Sequence, residues 1–184
     1  PEFFGDLHPL PVAARLAIGL GYLAVLLLLS WATYRLVEGP AQRLGKRLAQ
    51  RVASRGYHLS TGFLGTPHLC HVLTRFGYND LAYELLNQKG YPSWLYPVTK
   101  GATTIWEHWD GLREDGTMWS ADMNSFNHYA YGSVGEWLYG YIAGINPDES
   151  NPGFKHVILS PHPGGGLTWA KAEFESMYGK IVSW

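Results

Sequence analysis

The sequence predicts a mainly α-helical protein that carries a long apolar helix near its start and short β-strands at its end. Three features of its 184 residues support this class. An uncharged apolar run extends from Leu16 to Tyr34, apolar residues recur at helical spacing over residues 67–88, and apolar and polar residues alternate after Lys155. A chain of this length holds one domain or a small pair of domains.

The apolar run is long enough to cross a membrane. At about 1.5 Å of rise per residue, residues 16–34 span roughly the hydrocarbon core of a bilayer. Trp31 and Tyr34 close the run, where an interfacial aromatic belt would lie. A buried helix of a soluble protein and a cleaved signal peptide are the alternatives; the signal peptide is disfavoured because basic residues follow the run instead of preceding it. We predict a transmembrane helix over residues 16–36, after an N-terminal segment of residues 1–15.

The two sides of this run differ in charge. The leading side carries Glu2, Asp6 and one basic residue, Arg15. The trailing side has one acidic residue, Glu38, and the basic residues Arg35, Arg43, Lys46, Arg47, Arg51 and Arg55. The positive-inside rule therefore places the C-terminal part of the chain in the cytoplasm and makes the protein membrane-anchored. Residues 37–55 are predicted to form a basic juxtamembrane linker, either solvated or, in its middle, a helix lying on anionic headgroups.

Composition limits the function classes that the chain can serve. A net charge of −1 and a pI near 6.8 argue against nucleic-acid binding, because no basic surface is indicated for the chain as a whole. Eight Trp and twelve Tyr suit either carbohydrate contact or a large core. The single cysteine, Cys70, excludes an internal disulfide. The chain begins at Pro1 rather than at Met, which indicates that it is incomplete at its N-terminus.

Two amphipathic helices are predicted over residues 67–76 and 79–88. Gly77 separates them, so that they form one helix–turn–helix hairpin, the unit of a helical barrel. Their apolar positions are Leu69, Val72, Leu73 and Phe76 in the first helix and Leu81, Leu85 and Leu86 in the second. His68 and His71 lie at i, i+3 on the first helix but have no third ligand at a fitting spacing, so we predict no metal site and no cofactor.

Residues 90–122 are rich in Gly, Pro and Trp and are predicted to form an ordered loop, the kind of segment that carries catalytic groups on a rigid scaffold. Within this loop, Glu107 lies among three aromatic rings, those of Trp106, His108 and Trp109. Indole faces offer flat apolar surfaces to a pyranose ring and lower the dielectric around a carboxylate, which suits glycoside hydrolysis. A core aromatic cluster around a satisfied glutamate is the alternative that these residues leave open.

A longer helix is predicted over residues 125–144, with Ser125 as its N-cap. Gly132, Gly135 and Gly140 inside it indicate close helix packing, because Gly otherwise weakens a helix. From Lys155 onward the alternation predicts strands that open a β-sandwich. Residues 164–166 are three glycines and are predicted as a turn; they are not a phosphate loop, because no Lys-Ser/Thr pair follows at the required spacing.

From about Arg55 onward the sequence resembles the bacterial α-L-rhamnosidases whose catalytic domain is a six-hairpin (α/α)6 barrel. The resemblance rests on motifs in the family's order, including Thr-Thr-Ile-Trp-Glu and Asn-Ser-Phe-Asn-His-Tyr. The matching blocks are residues 56–67, 91–97, 101–111, 123–132 and 161–167. The resemblance implies that residues 56–150 are part of a six-hairpin glycosidase domain and that residues 151–184 begin a C-terminal β domain.

The resemblance also implies a reaction and a site. Members of this family are inverting hydrolases of terminal α-L-rhamnosides. In their reaction one carboxylic acid protonates the departing oxygen and one carboxylate deprotonates water. The glutamate of the first motif is the general base, which corresponds to Glu107. The histidine of the second contacts rhamnose hydroxyls, which corresponds to His128, and Trp106 or Trp109 would wall the pocket. The implied partners are rhamnose-containing glycosides. The residues alone would instead make His128 a satisfied histidine at a helix start.

The general acid has no matching position in this sequence. In the family it belongs to earlier barrel hairpins, and nothing upstream of Arg55 resembles them. Asp110, Asp122 and Glu136 remain as nominal candidates, but Asp110 is too near Glu107 along one loop to reach the opposite ring face. We therefore predict a partial α-L-rhamnosidase that is inactive alone.

Residues 34–41 resemble the last helix and exit of integral-membrane acyltransferases that modify cell-surface sugars. None of that family's catalytic residues can be placed on this sequence. The two resemblances would meet between Gly45 and Arg55. A gene fusion, a truncated pseudogene or an assembly artefact would each produce such a junction.

Two further functions remain open beside the rhamnosidase fragment. The chain could be the C-terminal remnant of a membrane sugar acyltransferase. It could also be a non-catalytic carbohydrate-binding fragment that uses Trp94, Trp106 and Trp109 as stacking surfaces.

Overall fold

The computed structural model of the protein describes residues 11–184. It divides into two compact units, and the boundary between them in the sequence lies between Leu44 and Gly45. Most of the predicted N-terminal segment 1–15 lies outside the described residues. The same is true of Glu2 and Asp6, on which the predicted membrane orientation partly depends.

The first unit is helical. Helix α1 covers Val12–Thr33 and has no buried residue, and a π-helical turn, Tyr34–Glu38, follows it. Helix α2 then covers Gly39–Ser54. The wider turn precedes Pro40, whose ring would clash with the carbonyl four residues earlier in a regular α-helix. By length and composition alone, the helical stretch Val12–Ser54 could cross a membrane, so the transmembrane function of residues 16–36 stays a prediction.

The last part of α2 belongs to the second unit and is packed. Gly45, Ala49 and Val52 are buried, and a Cβ added at Gly45 would lie 2.6 Å from the ring of Phe76. Ala49 and Val52 belong to the main hydrophobic cluster of this unit. The residues predicted as a linker thus include a helix with one core face, while their basic side chains remain exposed.

The predicted helical hairpin is confirmed. Helix α3 covers Thr66–Arg75 and α4 covers Asn79–Asn87, with Gly77 at a positive φ of 82° between them. Pro67 lies in the first turn of α3, where its missing N–H would have no partner. The apolar residues that the hairpin buries are Leu69, Cys70 and Leu73 from α3 and Ala82, Tyr83 and Leu85 from α4.

Residues 88–129 contain little regular structure, which agrees with the loop predicted over residues 90–122 but not with the helix predicted from residue 125. They include one short helix, α5 (Leu95–Thr99), and an isolated bridge between Leu112 and Met118. Trp94 and Tyr96 are nevertheless buried, so this loop is tied to the core.

The helix predicted from Ser125 begins later. A 3-10 turn covers Ala130–Ser133, α6 covers Val134–Trp137 and a π-helical turn covers Leu138–Ile142. The prediction of Ser125 as N-cap is wrong: its hydroxyl accepts the N–H of Asn127, at 3.3 Å, in a local turn. Its backbone bonds to the Glu107 segment instead of to a helix.

Two antiparallel hairpins complete the chain. Strand β1 (Ile145–Pro147) pairs with β2 (Val157–Leu159), and β3 (Ala172–Ser176) pairs with β4 (Gly179–Ser183). The alternation after Lys155 predicted β2, β3 and β4 but not β1. The mainly α class with strands at its C-terminal end is confirmed.

The glycine turn is held against the helical hairpin. The ring of Tyr83 covers Gly164 and Gly165 so closely that a Cβ at either position would lie 2.6 Å from it. The Tyr83 hydroxyl donates to the carbonyl of His162, and Asn87 Nδ2 donates to the carbonyl of Gly165 at 3.1 Å. These contacts fix the segment that leads from β2 into the second β-hairpin.

Candidate active site

Two loop segments about 20 residues apart in sequence, residues 105–107 and 125–128, are paired by hydrogen bonds. Glu107 lies on the first segment and His128 on the second. The N–H of Glu107 donates to the carbonyl of Ser125 at 2.8 Å, and the N–H of His128 donates to the carbonyl of Ile105 at 2.8 Å. The hydroxyl of Thr104 donates to a third main-chain carbonyl, that of residue 126. The two predicted polar residues of the site therefore lie on neighbouring, mutually bonded segments.

One oxygen of the Glu107 carboxylate is anchored and the other is free. Oε2 accepts the N–H of Ser125 at 3.0 Å, so that Ser125 binds both the backbone and the side chain of Glu107. Within residues 11–184 the carboxylate has no other hydrogen bond. The side chain is half-buried. A carboxylate with one oxygen oriented and the other available can accept a proton from a water molecule.

The hydrogen bonding of His128 defines its neutral form. Nδ1 accepts the N–H of Ala130 at 3.3 Å, so a neutral imidazole carries its proton on Nε2. The ring is stacked on Phe63, at 5.0 Å between centroids and 17° between planes. It is also nearly parallel to the ring of Tyr129, at 5.4 Å. Nε2 is therefore a hydrogen-bond donor that can bond to the oxygen of a ligand hydroxyl.

Trp106 lies behind Glu107. It is 6% exposed and packs edge-on against Phe126, at 5.0 Å between centroids. A Cβ added at Gly111 would lie 3.0 Å from the Trp106 ring. This burial suits a support for the Glu107 loop, and the role of Trp106 as a substrate contact stays a prediction.

Trp109 is half-buried and belongs to an aromatic cluster. Its ring is stacked on Tyr131 at 3.6 Å and 19°, and it meets Trp94 edge-on at 5.8 Å. Trp94 Nε1 donates to the carbonyl of Tyr131 at 2.9 Å. Because one face of Trp109 is occupied, a sugar could use only its remaining surface.

The nominal acids are in different surroundings. The carboxylate of Asp110 acts on Tyr91: burial first, and this charge second, raise the pKa of that phenol. Glu136 lies on α6, with its side chain 82% exposed and Oε2 at 4.0 Å from His71 Nε2. Asp122 is exposed in the loop. None of the three lies on the paired segments, residues 105–107 and 125–128, that hold Glu107 and His128.

Several residues that organise the site were not identified from the sequence. Phe63 and Tyr131 support His128 and Trp109. Asn124 Nδ2 donates to the carbonyl of Gly111 at 3.0 Å, which closes the part of the loop between residues 111 and 124. Their only signal was membership of the matching blocks, since such contacts depend on tertiary pairing. Within residues 11–184, no group of three or more His, Cys, Asp and Glu side chains could hold a metal ion.

Comparison with protein families decides the relationship of this chain. The family described as bacterial alpha-L-rhamnosidase 6 hairpin glycosidase domain matches residues 28–142, and the one described as bacterial alpha-L-rhamnosidase C-terminal domain matches residues 144–184. The chain belongs to the bacterial α-L-rhamnosidase family. The motifs placed the start of the resemblance at residue 56, but the family match begins earlier, at residue 28. It therefore includes α2 and residues 34–41.

Individual relatives agree with the family match. An α-L-rhamnosidase of Streptomyces avermitilis is 53% identical over 135 residues, which cover 73% of this chain and 13% of that protein. An α-L-rhamnosidase of Formosa agariphila is 42% identical over 156 residues, covering 85% of this chain and 17% of that protein. This chain thus spans less than a fifth of the length of these relatives.

Solved structures of the family have the same fold in the matched region. The crystal structure of the Streptomyces avermitilis α-L-rhamnosidase complexed with L-rhamnose superposes with a TM-score of 0.73 at 50% identity, covering 77% of this chain and 14% of that one. The native enzyme of Aspergillus terreus gives a TM-score of 0.73 at 40% identity, covering 77% and 16%. The helical hairpin and its loops are therefore a fragment of an α/α-barrel glycosidase.

Proposed function

We propose that this chain is the part of an inverting α-L-rhamnosidase that supplies the general base, Glu107, and a substrate contact, His128. The observation that carries the proposal is the pairing of their two segments through Ser125 and Ile105. That pairing fixes a proton acceptor and a hydrogen-bond donor relative to one another, and both residues match the family's motifs.

The proposed reaction is a single displacement. The free oxygen of Glu107 takes a proton from water while the water oxygen bonds to the anomeric carbon of rhamnose and the glycosidic C–O bond breaks. The departing oxygen takes a proton from a general acid. The Nε2–H of His128 donates to a sugar hydroxyl and thereby holds the ring in position.

The general acid is proposed to be absent from this chain, which would then not hydrolyse rhamnosides efficiently by itself. Two facts support this. Asp110, Asp122 and Glu136 all lie off the paired segments, and the chain spans only 13% and 17% of the length of its relatives from Streptomyces avermitilis and Formosa agariphila.

Binding of L-rhamnose to the purified chain, measured by saturation-transfer NMR and calorimetry, tests the site. We expect His128→Ala to weaken binding by about tenfold, the size of one lost hydrogen bond. Glu114→Gln, an exposed carboxylate on the same loop, is the matched control and should leave the dissociation constant unchanged. Binding unaffected by His128→Ala would refute the proposed contact. Binding lost on Trp109→Ala but retained in both other variants would favour a non-catalytic carbohydrate-binding fragment.

We further propose that residues 16–36 anchor the chain in a membrane with the C-terminal part in the cytoplasm. The exposed apolar surface of α1 and the basic residues that follow it support this. Protease digestion of intact spheroplasts and of inverted vesicles tests the orientation. Protection of the C-terminal part in spheroplasts and its digestion in inverted vesicles are expected; digestion in intact spheroplasts would refute the orientation.

A further inference from the structure

Phe63 lies on a turn whose backbone is firmly held. The preceding carbonyl, that of Gly62, accepts the N–H groups of Gly65 at 3.1 Å and Thr66 at 3.0 Å. The same carbonyl accepts the buried hydroxyl of Thr66 at 2.9 Å. This network ties the turn to the start of α3. The base of the Phe63 side chain is therefore fixed by the helical hairpin rather than by the catalytic loops.

The ring of Phe63 joins two parts of the candidate site. It is stacked on the imidazole of His128 and lies 5.0 Å from the ring of Tyr131, tilted by 56°. Tyr131 is itself 7% exposed and stacked on Trp109. Phe63 thus packs between His128 and the aromatic cluster of Tyr131 and Trp109.

Without Phe63, the imidazole would be held by one hydrogen bond at 3.3 Å, from the N–H of Ala130 to Nδ1, and by the ring of its chain neighbour Tyr129, which lies 5.4 Å away and is 88% exposed. A single bond at one ring nitrogen restrains that atom but leaves the ring able to tilt, and the bond is lost when the tautomer changes. A parallel ring face restrains the imidazole plane. The two restraints together direct Nε2–H along one line.

We propose that Phe63 is a positioning residue for His128, holding its imidazole in the Nε2–H form with a fixed plane. Its consequence for rhamnose binding rests on the proposed function of His128. Phe63 acts through the imidazole and makes no contact with the sugar.

Nitrogen-15 NMR of histidine side chains in the full chain, purified in detergent micelles, measures the claim without any activity. His128→Gln identifies the His128 signals among the eight histidines. We expect the unsubstituted protein to have a protonated Nε2 and an unprotonated Nδ1. Phe63→Leu, which fills much of the same volume without a ring, should shift both nitrogens toward averaged values, and Phe63→Tyr should restore them. Phe154→Leu removes a ring that contacts Phe174 in the C-terminal part and is the matched control.

Binding of L-rhamnose to the same variants gives the second readout. Phe63→Leu should weaken it about fivefold, the size expected for one aromatic pair, and Phe63→Tyr should restore it. Weakened binding with unchanged His128 signals would mean that Phe63 contacts the sugar directly and would overturn the proposal. Unchanged signals and unchanged binding would also overturn it. If the unsubstituted chain binds no L-rhamnose, the proposed function fails, while the nitrogen signals still decide the role of Phe63.

Discussion

At the scale of single residues, Glu107 is held from both sides by one neighbour. The carbonyl of Ser125 accepts its N–H and the N–H of Ser125 donates to its carboxylate. This arrangement orients the carboxylate without a charged partner and leaves its other oxygen free for the proposed reaction with water. The surrounding loop must therefore keep its shape for the site to work.

Gly111 lies in a tightly packed part of that loop. A Cβ there would lie 3.0 Å from the Trp106 ring and 3.2 Å from both Asn124 Oδ1 and the Phe126 ring. Gly111→Ala should lower the free energy of unfolding by about 1–3 kcal/mol, the usual cost of overpacking. Urea unfolding followed by tryptophan fluorescence measures this.

The control for this substitution is Gly135→Ala. A Cβ at Gly135, in α6, meets nothing within 4 Å, so this change should be neutral or slightly stabilising. Equal destabilisation by the two substitutions would contradict the tight packing around Gly111.

At the scale of elements, the sequence pattern predicted helices and strands correctly where neighbouring residues determine them. The hairpin α3–α4 was predicted to within one residue at each boundary because apolar spacing and Gly77 define it. The start of the later helix was misplaced because the backbone of Ser125 pairs with the Glu107 segment, a contact that local pattern cannot reveal. Strand β1 was missed because its three residues, which end in Pro147, carry almost no strand signal.

The turn into the first β-hairpin depends on Gly144. Its φ is +68°, and a Cβ there would lie 2.0 Å from the backbone of Ser160. Because main-chain atoms cannot move aside cheaply, Gly144→Ala should destabilise the fold by more than about 3 kcal/mol.

Gly153→Ala separates the two causes of this loss. Gly153 has a similar φ of +80° but open space around it, so only the backbone strain of about 1–2 kcal/mol is expected. Thermal unfolding of both variants gives the comparison, and similar losses would show that strain alone explains Gly144.

At the scale of the whole molecule, the family relationship and the proposed chemistry came from motifs, and the pairing of the two segments of the candidate site came from the fold. Glu107 and His128 could be named from the sequence, but the pairing that joins them could not. The packed face of α2, which includes Ala49 and Val52, was hidden in the sequence by the basic residues that surround it, Lys46, Arg47 and Arg51. The second unit thus gathers the last part of α2, the hairpin and the loop around one core.

Cys70 reports on the integrity of that core. It is 2% exposed, and burial raises the pKa of its thiol to about 12. At pH 8 the folded chain should therefore react with Ellman's reagent at least about a hundredfold more slowly than the urea-unfolded chain, because almost no accessible thiolate is present. Rapid reaction under native conditions would mean that the hairpin is open in this chain.

The central claim, a general base without its acid, is tested most directly with α-L-rhamnosyl fluoride. Fluoride departs without protonation, so the Glu107 carboxylate alone can promote attack by water. Proton NMR during the reaction should detect β-L-rhamnose as the first product, with release abolished by Glu107→Gln and unaffected by Glu114→Gln, while methyl α-L-rhamnoside remains intact. A rate of fluoride release equal in the protein and in its Glu107→Gln variant, or α-L-rhamnose as the first product, would contradict the account.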